Sequence, residues 1–195
     1  ILAFGAHPDD VELSCSGTLI KHISLGKKVG IVDLTRGELG TRGTPAIREQ
    51  EAQQASMIMG THIRENLEMR DGFFKNDESH QLQVIRMIRK YQPQVVVANA
   101  IRDRHPDHGR AAQLVSDAIF LSGLRMISTR EDDHAQDPWR PVALYHYIQD
   151  QWIEPDVLVD ISGVMEKKME SIRAFQSQFF DPASKEPETY ISKPD

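Results

Sequence analysis

A single cysteine, Cys15, occurs in 195 residues. One thiol cannot close an internal disulfide, so the core must hold the fold, as expected in a reducing compartment. Cys15 itself reads as a small buried apolar residue. Long apolar runs are missing too. Nothing approaches the roughly 20 residues that cross a bilayer, and the apolar start at residues 1–6 is too short for a signal sequence. No membrane partner is expected, and a cytoplasmic location is the default. Lys and Arg form no block, and 23 basic against 29 acidic residues leave a net charge of −6. Nucleic acid is therefore excluded as the main partner, because phosphate binding needs clustered positive charge. A glycine-rich phosphate turn after the first strand is also lacking, which removes the dinucleotide-binding reading.

What is present fits an ordinary globular chain, with 39% hydrophobic and 27% charged residues. The length suits one α/β domain and is short for two, so residues 1–195 are read as a single domain. The chain starts at Ile1 rather than Met and stops abruptly at Asp195. Both native termini are expected to lie outside it, and a C-terminal truncation is part of that expectation.

Short apolar runs at Ile1–Phe4, Val29–Leu34 and Val95–Ala98 read as strands buried on both faces. Ala143–Tyr147 and Leu158–Ile161 are weaker strand candidates. Between them lie helical spacings: a first run ending near Gly26, then Leu82, Ile85, Ile88 and Tyr91 before Pro93. Ala111, Val115, Ala118 and Ile119 share a face, as do Met165, Met169 and Ile172. This alternation predicts an α/β fold, a Rossmann-like open and mostly parallel sheet with helices on both faces. In such sheets sites form beyond the carboxyl ends of the strands.

Two similar turns stand there. His7-Pro8-Asp9-Asp10 follows the first strand, and His105-Pro106-Asp107-His108 follows Val95–Ala98. Either turn alone is explained by helix capping and proline turns. Two of them at one sheet edge offer imidazole and carboxylate ligands to one cation. A catalytic zinc takes about three N/O ligands and keeps one position open. His7, Asp10 and His108 make such a set, leaving Asp9 and His105 for acid–base work. The donor types suit Zn²⁺, with Fe²⁺ or Co²⁺ equally able to take its place.

With Leu34-Thr35-Arg36-Gly37-Glu38 and Ile47-Arg48-Glu49-Gln50-Glu51-Ala52, these motifs closely resemble the LmbE-like (PIG-L) zinc-dependent N-deacetylase family. The stretch from Phe179-Phe180-Asp181-Pro182 to Tyr190 resembles the subgroup serving bacillithiol biosynthesis. The resemblance implies hydrolysis of the N-acetyl group of an N-acetylglucosamine derivative, N-acetylglucosaminyl malate in that subgroup. It implies His7, Asp10 and His108 as metal ligands, Asp9 as general base, and His105 as the group assisting the oxyanion or leaving amine. Arg48 and Tyr190 match substrate contacts, and a homo-oligomer, a hexamer in form, is implied.

Arg42, on a mobile loop after the second strand, is a candidate to close over substrate. Asp107 or Asp103 is placed to orient His105. Two alternatives stay open: a deacetylase or amidase of another sugar or thiol conjugate, and a non-catalytic metal- or sugar-binding module.

Overall fold

The computed structural model describes residues 1–179 and 181–193. Phe180, part of the C-terminal stretch carrying the subgroup resemblance, lies outside the described residues. The elements run β1 (Leu2–Gly5), α1 (Asp10–Ser14), α2 (Ser16–Ser24), β2 (Gly30–Thr35), α3 (Pro45–Met59), β3 (Ile63–Met69) and α4 (Glu78–Tyr91). They continue with β4 (Val95–Ala98), α5 (Pro106–Ser122), β5 (Arg130–Glu131), β6 (His134–Ala135), β7 (Ala143–His146), a 3-10 turn (Ser162–Val164) and α6 (Met165–Arg173).

Five strands form one sheet in the order β3-β2-β1-β4-β7, and every pairing in it is parallel. β5 and β6 form a separate antiparallel pair. Side chains of a strand alternate between faces, and β1 shows why both faces must be covered. Leu2 and Phe4 enter a core with Val84, Ile85 and Ile88 of α4 and Leu114, Val115 and Ala118 of α5. Ala3 enters the opposite core with Val11, Leu19, Ile20 and Met59. Truncating a core residue such as Leu114 to alanine costs about 2–5 kcal/mol, because the cavity closes only in part.

Two segments depart from the expected sheet. Ile63–Met69 was not legible as a strand, because Arg64, Glu65 and Glu68 break its apolar run. It pairs with β2 at the sheet edge, where Arg64 turns inward and is balanced by Asp33 and Glu12. The expected strand Leu158–Ile161 does not form. Leu158 is 84% exposed, and the segment joins no ladder among the described residues.

From β1 the chain goes to β2 and β3 on one side, and then returns to β4 and β7 on the other. The order therefore switches between β1 and β4. At such a switch two neighbouring loops diverge and leave a crevice beyond the strand ends. The two His-Pro-Asp turns lead away from the ends of those two strands.

Candidate metal-binding active site

A cleft of about 750 Å³ opens at the switch point, lined by His7, Asp9, Asp10, Arg48, Asp71, Arg104, His105, His108 and Gln149, among others. The imidazoles of His7, His105 and His108 lie together, with ring centroids 4.7 to 5.7 Å apart. One nitrogen from each lies within 4.8 Å of the others, a spacing compatible with one metal ion. Asp10 joins two of them: one oxygen is 3.1 Å from His108 Nε2 and the other 3.7 Å from His7 Nδ1.

The chain makes these contacts through short local devices. Asp10 opens α1, and its carboxylate reaches back to accept from the His7 backbone N–H at 3.0 Å. Pro106 stands in the first turn of α5, where its missing N–H costs nothing, and the His105 backbone is extended just before it. His105 caps that helix: its Nδ1 accepts from Asp107 N at 3.2 Å. His108 sits one turn further in, facing Asp10.

Carboxylates fix the remaining ring nitrogens. His7 Nε2 donates to Asp71 Oδ1 at 3.0 Å and lies 3.4 Å from Asp107 Oδ2. His108 Nδ1 donates to Asp103 Oδ2 at 2.5 Å. The opposite nitrogens, His7 Nδ1 and His108 Nε2, face the Asp10 carboxylate. This carboxylate–imidazole pattern is the usual support behind metal-bound histidines.

Electrostatics agree. Burial works against charge on His7, but Asp107, Asp71 and Asp10 outweigh it and raise its pKa to about 10. The same contest, won by Asp10 and Asp103, raises the pKa of His108. Asp10 is held well below the usual carboxylate range, because His108 and His7 outweigh burial. The imidazole cluster can hold a cation, and Asp10, in contact with two of its members, is a carboxylate beside it. The donor set therefore fits the group that the sequence motifs imply.

Asp9 lies apart from that set. Its carboxylate accepts from Arg48 Nη2 at 3.0 Å, and Arg48 also donates to Pro8 O and Gly37 O. Burial raises its pKa to about 7 despite the arginine, with the Asp10 charge adding to the rise. Its backbone is in the left-handed region, at φ 110°. Non-glycine residues take that conformation at a cost of about 1–3 kcal/mol, and such strain gathers at functional sites. His105 is held below its usual pKa, by burial first and then by the neighbouring His7 and His108 charges.

Other expected site residues sit elsewhere. Arg48 is buried against Asp9, so its guanidinium is already engaged and holds Asp9 rather than standing free for substrate. Arg42 does not swing over the cleft. It is 4% exposed, its Nε donates to Ser177 O, and its own carbonyl accepts from Gln178, so the loop is pinned to the C-terminal segment. Tyr190 is 66% exposed and stacks on the Arg104 guanidinium, 4.7 Å from ring centre to Cζ. It stands at the rim, away from the three imidazoles.

The Asp107 carboxylate hydrogen-bonds neither His105 ring nitrogen; only the residue's backbone N–H reaches Nδ1. It accepts from Gly72 N, pairs with Arg110 and approaches His7. Asp103 serves His108, so neither candidate carboxylate orients His105. Sequence reasoning missed Asp71, Asn99 and Gln149. Asn99 follows directly on Val95–Ala98, at a strand end worth inspecting, whereas nothing local marks the other two.

Known proteins share this architecture. A conserved protein of Thermus thermophilus superimposes with a TM-score of 0.85 at 38% identity, over 91% of this chain and 79% of that one. The diacetylchitobiose deacetylase of Thermococcus kodakarensis is 28% identical over 189 residues, 92% of this chain and 70% of the relative. A probable N-acetyl-alpha-D-glucosaminyl L-malate deacetylase 2 of Bacillus anthracis is 24% identical, over 92% of this chain and 81% of the relative. Residues 2–119, which include both His-Pro-Asp turns, match the family described as PIG-L: GlcNAc-PI de-N-acetylase. The chain belongs to that family.

Proposed function

We propose that the chain is a divalent-metal hydrolase that removes the acetyl group from an N-acetylglucosamine derivative. One observation carries this reading. A buried carboxylate, Asp9, held by Arg48 on a backbone at positive φ, stands beside a separate cluster of His7, Asp10 and His108 that can hold an ion. A binding module has use for the cluster but not for a strained carboxylate held beside it.

His7, Asp10 and His108 would hold a zinc or similar ion, which would supply Lewis acidity towards the amide carbonyl and lower the pKa of a water. Asp9 accepts that water's proton as its oxygen attacks the acetyl carbon. Arg48 fixes the angle of Asp9 and partly offsets the effect of burial on its charge. His105 is neutral, and its Nδ1 is occupied as an acceptor from Asp107 N. Its proton is therefore on Nε2, which makes the ring a hydrogen-bond donor to the developing oxyanion, not a cationic acid. Asp9 then returns its proton to the departing nitrogen as the C–N bond breaks, giving acetate and a free amine. Base and acid are one residue at two stages.

The finer substrate proposal is N-acetylglucosaminyl malate. Its carboxylates need a cation, and with Arg48 committed to Asp9 the remaining guanidinium of the cleft lining is Arg104, at the rim beside Asp150 and Tyr190. Acetate release from a panel of N-acetylglucosaminides, with and without a chelator, tests the reading. Turnover that a chelator stops and zinc restores supports it; no acetate from any member rules it out. Arg104→Gln should raise KM several-fold for the malate conjugate and leave a neutral disaccharide unchanged. Equal effects on both would remove malate and favour the disaccharide. Zinc as the resident ion and a homo-oligomeric assembly belong to the same proposal, tested by metal analysis and light scattering.

A further inference from the structure

The Asp10 carboxylate is held from three directions. Its Oδ2 accepts from His7 N and from Asn99 Nδ2 at 2.9 Å, and its Oδ1 accepts from Gln149 Nε2 at 3.0 Å. Asn99 follows β4, and Gln149 stands three residues beyond β7. Both amides have a determined orientation. Ala100 N can only donate, and it donates to Gln149 Oε1 at 3.2 Å; Asn99 Nδ2 donates to the same oxygen at 3.0 Å. That leaves Gln149 Nε2 facing Asp10, and 3.4 Å from His108 Nε2.

Asn99 gives both its amide protons to this pair, while its own buried Oδ1 has no partner among the described residues. Buried polar atoms are nearly always satisfied, so a residue selected for stability alone would not be left this way. Charge explains the choice of amides. Asp9 and Asp71 line the same cleft, Asp103 and Asp107 contact its imidazoles, and a carboxylate there needs holding. Arginine or lysine would hold it but repel a cation. A carboxamide donates hydrogen bonds with no net charge.

We propose that Asn99 and Gln149 form a neutral brace that positions the Asp10 carboxylate and thereby sets the affinity of the centre for its divalent ion. This rests on the reading of His7, Asp10 and His108 as the ion's ligands. Both amides act through Asp10, so they are positioning residues.

The test measures zinc affinity of the full chain by competition with a chromogenic chelator, for wild type, Asp10→Ala, Gln149→Met and Asn99→Ala. Melting of the ion-free proteins and kcat at saturating zinc are recorded alongside. Losing a partner behind a metal ligand costs about 10- to 100-fold in metal affinity. That loss is expected in Gln149→Met and Asn99→Ala, with the ion-free melting of Gln149→Met close to wild type. Asn99 is fully buried, so its variant can fail by misfolding. Gln149 is half-buried at the cleft wall, and its methionine variant decides alone. Wild-type zinc affinity in Gln149→Met overturns the brace, as does unchanged affinity with lost turnover. If zinc binding is also unaffected by Asp10→Ala, the ligand assignment itself fails, a distinct outcome.

Discussion

The two turns at the switch point are nearly the same in letters and opposite in construction. His105-Pro106-Asp107-His108 starts a 17-residue helix in the regular way, with an extended cap residue whose side chain accepts from the backbone two residues on. His7-Pro8-Asp9-Asp10 starts a five-residue helix with its cap residue at positive φ and no side-chain cap bond. In the second turn the capping side chain does structural work and reaches the cleft with one nitrogen left. In the first, the residue in the cap position does none, and its carboxylate is held by Arg48 of α3 at the edge of the ion cluster. Stability governs the second turn, and reactivity the first.

The largest effects should come from the first turn and should split between neighbours. Asp10→Ala is expected to abolish zinc binding and turnover together. Asp9→Asn keeps shape and the ion but removes the base, so turnover should fall about 10²- to 10⁴-fold, the usual contribution of a positioned acid–base group. Metal content and acetate release measured on both proteins check the split. Loss of zinc in Asp9→Asn would exchange the roles of the two aspartates.

The second turn should show the reverse mixture. His105→Asn and His105→Ala both remove the oxyanion donor, a loss of about 10²- to 10³-fold in kcat. Asparagine still caps a helix, whereas alanine gives up about 1 kcal/mol of stability. Equal turnover with unequal denaturation midpoints is therefore expected. Equal midpoints would mean that the Nδ1 contact to Asp107 N contributes nothing to the fold, and the contrast between the turns would lose one of its halves.

How far the sequence reveals this depends on the range of each signal. Val95–Ala98 and Val29–Leu34 are strands buried on both faces, so apolarity alone marks them. β3 escaped notice because its inward Arg64 is neutralised by Asp33 and Glu12, which come from β2 and α1. Leu158–Ile161 misleads for the opposite reason: it has strand composition, yet no strand of the described residues pairs with it. Within the site, His7, Asp9, Asp10, His105 and His108 stand in two local motifs and can be read. Asp71 and Gln149 reach the cleft from the ends of other strands and carry no motif. Arg48 is readable as a residue but not in its role, since its partner Asp9 lies 39 positions away.

The smallest expected effect isolates capping from chemistry. Thr44-Pro45 begins α3 much as His105-Pro106 begins α5: Thr44 is extended, and its hydroxyl accepts from Ile47 N at 3.3 Å. Thr44 has no contact with the imidazoles, so it is a cap without a catalytic duty. Thr44→Ala should lower stability by about 0.5–2 kcal/mol. Arg48 sits one turn further along α3 and is anchored independently by Pro8 O and Asp9, so kcat should stay within a few-fold of wild type. A large fall in kcat would mean that the first turn of α3 transmits its order to Asp9 through Arg48. The strained turn would then depend for its reactive geometry on a regular helix start elsewhere, and the two modes of construction would be coupled rather than separate.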